Sequence, residues 1–172
     1  MKLQKILDTL TASDIQFVII GGVALNIHGS PRVTFDSDLA IKTIDIDRVI
    51  EVLIAAGLEM VIGVNENSHP LLTTDTGNAI DFAEKSRWGF LKFVSESFEL
   101  DVIYEIPVPF AVLFRDSRKI MAGRTEVRVA SIEHIRVMKE KAKGSHDDEK
   151  RDIDLMDLKF IEKKIREGND DT

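Results

Sequence analysis

The sequence predicts an α/β (α+β) fold: a mixed β-sheet flanked by helices, with a helical hairpin at the C-terminus. Three observations predict it. Short apolar runs of strand length recur through the first 130 residues. Stretches with helical spacing of apolar residues lie between them. From Ser131 onward the pattern is helical only. The 172 residues suit one domain. Residues 1–130 are expected to form the core, and 131–172 a helical segment packed on it, a single domain overall.

Leu3, Ile6, Leu7 and Leu10 share one helical face, so residues 2–11 read as an opening helix that ends near Asp14. Phe17-Val18-Ile19-Ile20 is a fully apolar run stopped by Gly21-Gly22, a buried strand feeding a tight turn. Val23–His28 is long enough for two helical turns before Gly29. Asp38-Leu39-Ala40-Ile41 reads as a second strand, and Asp45 as the cap of a helix that runs through Ala56 to Gly57. Strands are then expected at Leu58–Val64, Ala79–Ala83, Leu91–Val94 and Phe98–Ile103, with a mobile loop over 65–78. Pro107 and Pro109 mark a break, Phe110–Phe114 a helical turn, and Val127-Arg128-Val129 the last strand. A helix with Ile132, Ile135 and Met138 on one face follows. Gly144-Ser145-His146 joins it to a second helix over about Asp147–Arg166.

Composition narrows the function classes. With no cysteine there is no disulfide, thiolate nucleophile, Cys-ligated zinc or iron–sulfur site. No apolar run approaches the ~18 residues of a membrane span. The amphipathic start is unlike a signal peptide, so the cytoplasm is the expected location. A net charge of −7 is the wrong sign for a general nucleic-acid coat, although a local basic groove is compatible with it.

The chemistry concentrates between Gly21 and Leu39. Asp36 and Asp38 stand two apart on an extended chain, so both carboxylates face one side at about 6–7 Å. Side by side they repel, and a divalent cation removes the conflict. Mg²⁺ or Mn²⁺ suits such oxygen ligands together with substrate phosphates. Ahead of them, a strand ending in Gly21-Gly22 and turning into a helix exposes backbone N–H groups to which a phosphate can come close. Neither the dinucleotide fingerprint nor a P-loop is present.

Gly21-Gly22, the thirteen residues 23–35, and then Asp36-Ser37-Asp38-Leu39 resemble the signature of the nucleotidyltransferase superfamily of the DNA polymerase β type. The finer pattern, with Ala24-Leu25, His28-Gly29, Arg32 and Thr34, resembles small bacterial and archaeal nucleotidyltransferase-like proteins. Those include the toxin nucleotidyltransferases of abortive-infection toxin–antitoxin systems. Ser37 departs from the aliphatic residue usual there. Val129-Ala130-Ser131 through Met138-Lys139 and Ala142 is similar to a later helix of these proteins. Arg151–Leu158, with Asp154 and Asp157, is similar to their closing helix. The resemblance spans about residues 15–165, but no motif covers 62–80 or 84–97.

The resemblance implies a mixed-sheet nucleotidyltransferase core and a third carboxylate on a neighbouring strand. Asp101 in Phe98–Ile103 fits best, with Glu99 beside it, and Asp81 is the alternative. Asp36, Asp38 and Asp101 would hold Mg²⁺ or Mn²⁺ and carry catalysis. Gly21, Gly22, Arg32, Thr34 and Lys139 would bind a nucleoside triphosphate (ATP or another NTP). The implied activity is transfer of a nucleoside monophosphate to a hydroxyl on a small molecule, a protein or RNA. The alternative is a non-catalytic binding module of a toxin–antitoxin pair, with a protein partner or a second copy.

Several residues also have plainer readings. His28 suits packing or capping, and His69, His134 and His146 show no metal spacing. Asp154 and Asp157 suit polar contacts from a helix. The Lys139–Lys143 run suits a solvated face. Trp88, beside Gly89, suits the core better than a base-stacking role, for which Tyr104 is the other aromatic.

Overall fold

A computed structural model describes residues 3–142 and 148–170. The side chains of 142–151 and 168–170 lie outside that description. So do Lys143 and the expected Gly144-Ser145-His146 joint.

The strands are β1 (Phe17–Ile20), β2 (Asp36–Ile41), β3 (Glu59–Val64), β4 (Pro70–Thr73), β5 (Phe90–Ser95), β6 (Phe98–Ile103), β7 (Arg118–Ala122) and β8 (Thr125–Val129). They form one mixed sheet in the order β4-β3-β5-β6-β2-β1-β8-β7. β2 runs parallel to β6 and β1 parallel to β8, while the other neighbours are antiparallel. The helices are α1 (Leu3–Ala12), α2 (Gly21–Ile27), α3 (Ile46–Ala55), α4 (Thr76–Lys85), α5 (Phe110–Asp116), α6 (Ile132–Ala142) and α7 (Asp148–Asp170). No helix among the described residues is long and apolar enough to cross a membrane.

Alternation along the central strands separates core from site. Ser37 and Leu39 of β2, Leu91 and Phe93 of β5, and Leu100 and Val102 of β6 are buried on one face. All of these but the polar Ser37 join Ile6 and Leu10 of α1 and Val49, Ile50 and Leu53 of α3 in the main core. The residues between them, Asp36, Asp38, Lys92, Glu99 and Asp101, take the opposite face. Burying that apolar set locks the register, because a one-residue slip would drive the acids into the core.

Four expectations are corrected, and one strand, β7, goes beyond them. Ala79–Ala83 is not a strand but the body of α4. Asp75 accepts the Asn78 N–H at 2.8 Å, which caps the helix, and Ala79 and Ala83 then share its buried face. Residues 65–78 are not one loop: β4 pairs with β3 across an Asn65–His69 turn, and α4 begins at Thr76. β7 was not anticipated; its Arg118-Lys119 start lacks an apolar alternation because it is an edge strand. Trp88 is 50% exposed rather than in the core, with its ring stacked on Phe90 and edge-on to Phe82. Asp45 precedes α3 within a 3-10 turn over Thr43–Asp45 but gives no side-chain cap.

Candidate active site

β2 and β6 place the acids. Their parallel register sets Asp36 beside Glu99 and Asp38 beside Asp101. Three expected carboxylates therefore stand on two adjacent strands, on the face turned away from the core. Asp81, the alternative third acid, lies on the exposed side of α4, paired with Lys85 at 3.6 Å.

The two glycines are required by this packing. Gly21 has φ +61°, a left-handed conformation, and a Cβ there would lie 2.7 Å from Asp38 Cγ. A Cβ on Gly22 would lie 2.6 Å from Thr34 Oγ1 and would strike the Arg32 guanidinium. The bare backbone lets the β1–α2 turn press directly on the acids, and the Gly22 N–H donates to the Asp38 carboxylate.

The carboxylates are not equivalent. Burial, then the charges of Asp36 and Asp101, push Asp38 up to about 7. Lys139 and the Gly22 N–H pull it back only in part. Burial also acts to raise Asp36, but it is outweighed. The Thr34 hydroxyl donates to its Oδ1 at 2.9 Å, and that bond, its own backbone N–H, Lys92 and Arg32 hold Asp36 below the usual carboxylate range.

Two cations expected at the nucleotide are held by acids from α7. Arg32 Nε lies 2.8 Å from Asp157 Oδ1. Lys139 Nζ lies 2.8 Å from both Asp154 Oδ1 and Asp157 Oδ2. Both acids are buried, so the reading of Asp154 and Asp157 as polar contacts from a helix to the core fits. Burial alone would lower Lys139's proton affinity, but bonds to Asp154 and Asp157 raise it above the usual lysine value. His28 caps the C-terminus of α2, and its Nε2 bonds the Ala130 carbonyl at 2.8 Å.

Lys92 was not singled out from sequence. It pairs with Asp101 across β5–β6, its Nζ 3.0 Å from Asp101 Oδ1 and 3.1 Å from Glu99 Oε2. A signal existed. With Glu96-Ser97 as the turn of a β5–β6 hairpin, counting back on both sides pairs Lys92 with Asp101.

The donor set fits a hard divalent cation. Its oxygens are carboxylate oxygens, and Asp38 is repelled by both neighbours, a conflict that a cation relieves. The set is not closed into a cage: among the described residues no three acidic or imidazole groups are gathered to enclose an ion as they stand. Asp36 Oδ1 is turned to Thr34 and Asp101 Oδ1 to Lys92.

No protein-family model matches the chain, and no curated protein matches it. Solved structures do. A crystal structure of a candidate nucleotidyltransferase from Thermotoga maritima is 14% identical with a TM-score of 0.52, covering 77% of this chain and 76% of its own. The crystal structure of ANT(2″)-Ia in complex with adenylyl-2″-tobramycin is 14% identical with a TM-score of 0.56, covering 92% of this chain and 84% of its own. The solution structure of the antibiotic-resistance factor ANT(2″)-Ia is also 14% identical, with a TM-score of 0.51, covering 92% and 80%. The mixed sheet and its flanking helices are thus the fold found in solved nucleotidyltransferases.

Proposed function

We propose that the protein is a metal-dependent nucleotidyltransferase that moves a nucleoside monophosphate from an NTP to a hydroxyl acceptor and releases pyrophosphate. The observation that supports it best is the strand register. Asp38 and Asp101 stand side by side, with Asp36 on the same face and the glycine turn pressed on Asp38. Asp36, Asp38 and Asp101 would hold Mg²⁺ or Mn²⁺. When bound, that ion supplies charge stabilisation to the phosphates and to the attacking oxygen. The acceptor oxygen would form a bond to the α-phosphorus as the bond to pyrophosphate breaks, and the hydroxyl proton would pass to a carboxylate of the set. Arg32, anchored through Nε, keeps Nη2 beside Gly22 for a phosphate oxygen.

A neighbour of this fold holds an adenylylated aminoglycoside, which favours small hydroxylated acceptors in a first screen. The resemblance of Val129–Ala142 and Arg151–Leu158 to helices of the small nucleotidyltransferase-like proteins supports the toxin-like subtype. Growth arrest on induced expression, abolished by Asp38→Ala, tests that subtype. Titration of NTPs with Mn²⁺ tests the core reading. Binding that needs the metal and disappears in Asp36→Ala and Asp38→Ala is expected, and unchanged binding in both variants would overturn it.

A further inference from the structure

Three cations face the carboxylate site, and they are held differently. Arg32 and Lys139 are anchored on Asp157 and Asp154, which are 1% and 2% exposed. Releasing either would take positive charge from carboxylates that are almost wholly buried, which costs more than breaking an ion pair that water reaches. Lys92 is held on the open sheet face by acids that water reaches, its side chain 31% exposed against 20% for Asp101 and 59% for Glu99. Ion pairs of that kind are worth at most about 1 kcal/mol. Lys92 is therefore the cation that can let go, and it grips Asp101 Oδ1, one of the oxygens a divalent ion needs.

We propose that Lys92 is a resident counter-cation for the third carboxylate: it competes with the divalent ion for Asp101 and swings onto Glu99 when the ion enters. The inference rests on the metal-site reading above. In the metal-free protein Lys92 neutralises part of the repulsion among Asp36, Asp38 and Asp101. Glu99, adjacent to Asp101 on the same face of β6 and already 3.1 Å from Nζ, receives the ammonium without a backbone change. Lys92 is a positioning residue: it acts through Asp101.

Mn²⁺ binding to the full chain, followed by the paramagnetic resonance of the free ion, tests this without any turnover. Lys92→Met is expected to bind Mn²⁺ about five-fold more tightly, because the competitor is gone. Glu99→Gln is expected to bind it about three-fold more weakly, because Lys92 loses its alternative seat, and to have no effect in the Lys92→Met background. Circular dichroism checks the fold, and Lys92→Gln carries the test if Lys92→Met unfolds. Unchanged or weaker Mn²⁺ binding without Lys92 would overturn the competition. A Glu99→Gln effect that persists in the Lys92→Met background would make Glu99 a ligand and overturn the swing. Wild-type protein that takes up no Mn²⁺, or takes it up equally well after Asp36→Ala and Asp38→Ala, would overturn the underlying metal-site reading instead.

Discussion

Asp38→Asn converts the crowding of the carboxylates into a measurable stability. In the folded protein Asp38 titrates near 7, against an ordinary value of 3.8. Between those two values the unfolded chain has released the proton and the folded protein keeps it. Wild-type stability therefore falls as pH rises through this window, by about 1.4 kcal/mol per unit, and levels off above pH 7. From pH 5 to pH 8 that is about two units, or nearly 3 kcal/mol. Residual solvent contact reduces this to about 2 kcal/mol. Asparagine keeps an oxygen for the Gly22 N–H and has no proton to release. The stability of Asp38→Asn relative to wild type should thus rise by about 2 kcal/mol between pH 5 and pH 8. Urea unfolding at three pH values in EDTA measures the gap. With saturating Mn²⁺ the order should reverse at pH 8, because only the wild type gains the full binding energy. A gap that does not change with pH in EDTA would refute the reasoning.

Three further outcomes follow from the same contacts. Gly21→Ala adds a Cβ at φ +61° against the Asp38 carboxyl, and urea unfolding should show a loss of about 2–4 kcal/mol. Lys139→Met takes the shared ammonium from buried Asp154 and Asp157, leaves Asp157 with Arg32, and should cost about 3 kcal/mol; Lys139→Met/Asp154→Asn should cost less than the single change, which equilibrium unfolding can resolve. Phe35, 91% exposed beside Asp36, contributes no core packing, so Phe35→Ser should keep the unfolding free energy within about 0.5 kcal/mol while NTP or acceptor binding is scored separately.

Much of the fold and of the acid set was legible because those features are written in period and spacing. The apolar run Phe17–Ile20, the Gly-Gly stop and the Asp-x-Asp spacing each admit few conformations, and the structure has β1, the α2 turn and β2 there. The stretch 76–85 was misread because Ala79-Ile80 and Phe82-Ala83 suit a strand as well as a helix. The deciding feature was a cap, Asp75 on Asn78, not an apolar pattern. β4 and β7 were missed because they are edge strands with exposed side chains, so neither carries the alternation that marks a half-buried strand. The partners of Lys92, Arg32 and Lys139 were hidden for a different reason. A lysine has the same composition whether it faces water or a carboxylate, and the pairing comes only from hairpin register or from the packing of α6 against α7.

The acids of this chain divide by what surrounds them, and that division assigns roles to distant segments. Asp154 and Asp157 come from the closing helix, are buried, and hold Arg32 and Lys139 at short range. Asp36, Asp38 and Asp101 come from the central strands and are left with the partial compensation of Thr34, Gly22 and Lys92. The closing helix therefore fixes where positive charge sits relative to Asp38, because Lys139 is near enough to lower its proton affinity yet is tied elsewhere. A site whose negative charge were fully neutralised by its own lysines would have little reason to recruit a metal ion. Here the two best-anchored cations are already committed to α7 acids, so the strand carboxylates keep a deficit of positive charge that a divalent ion can fill.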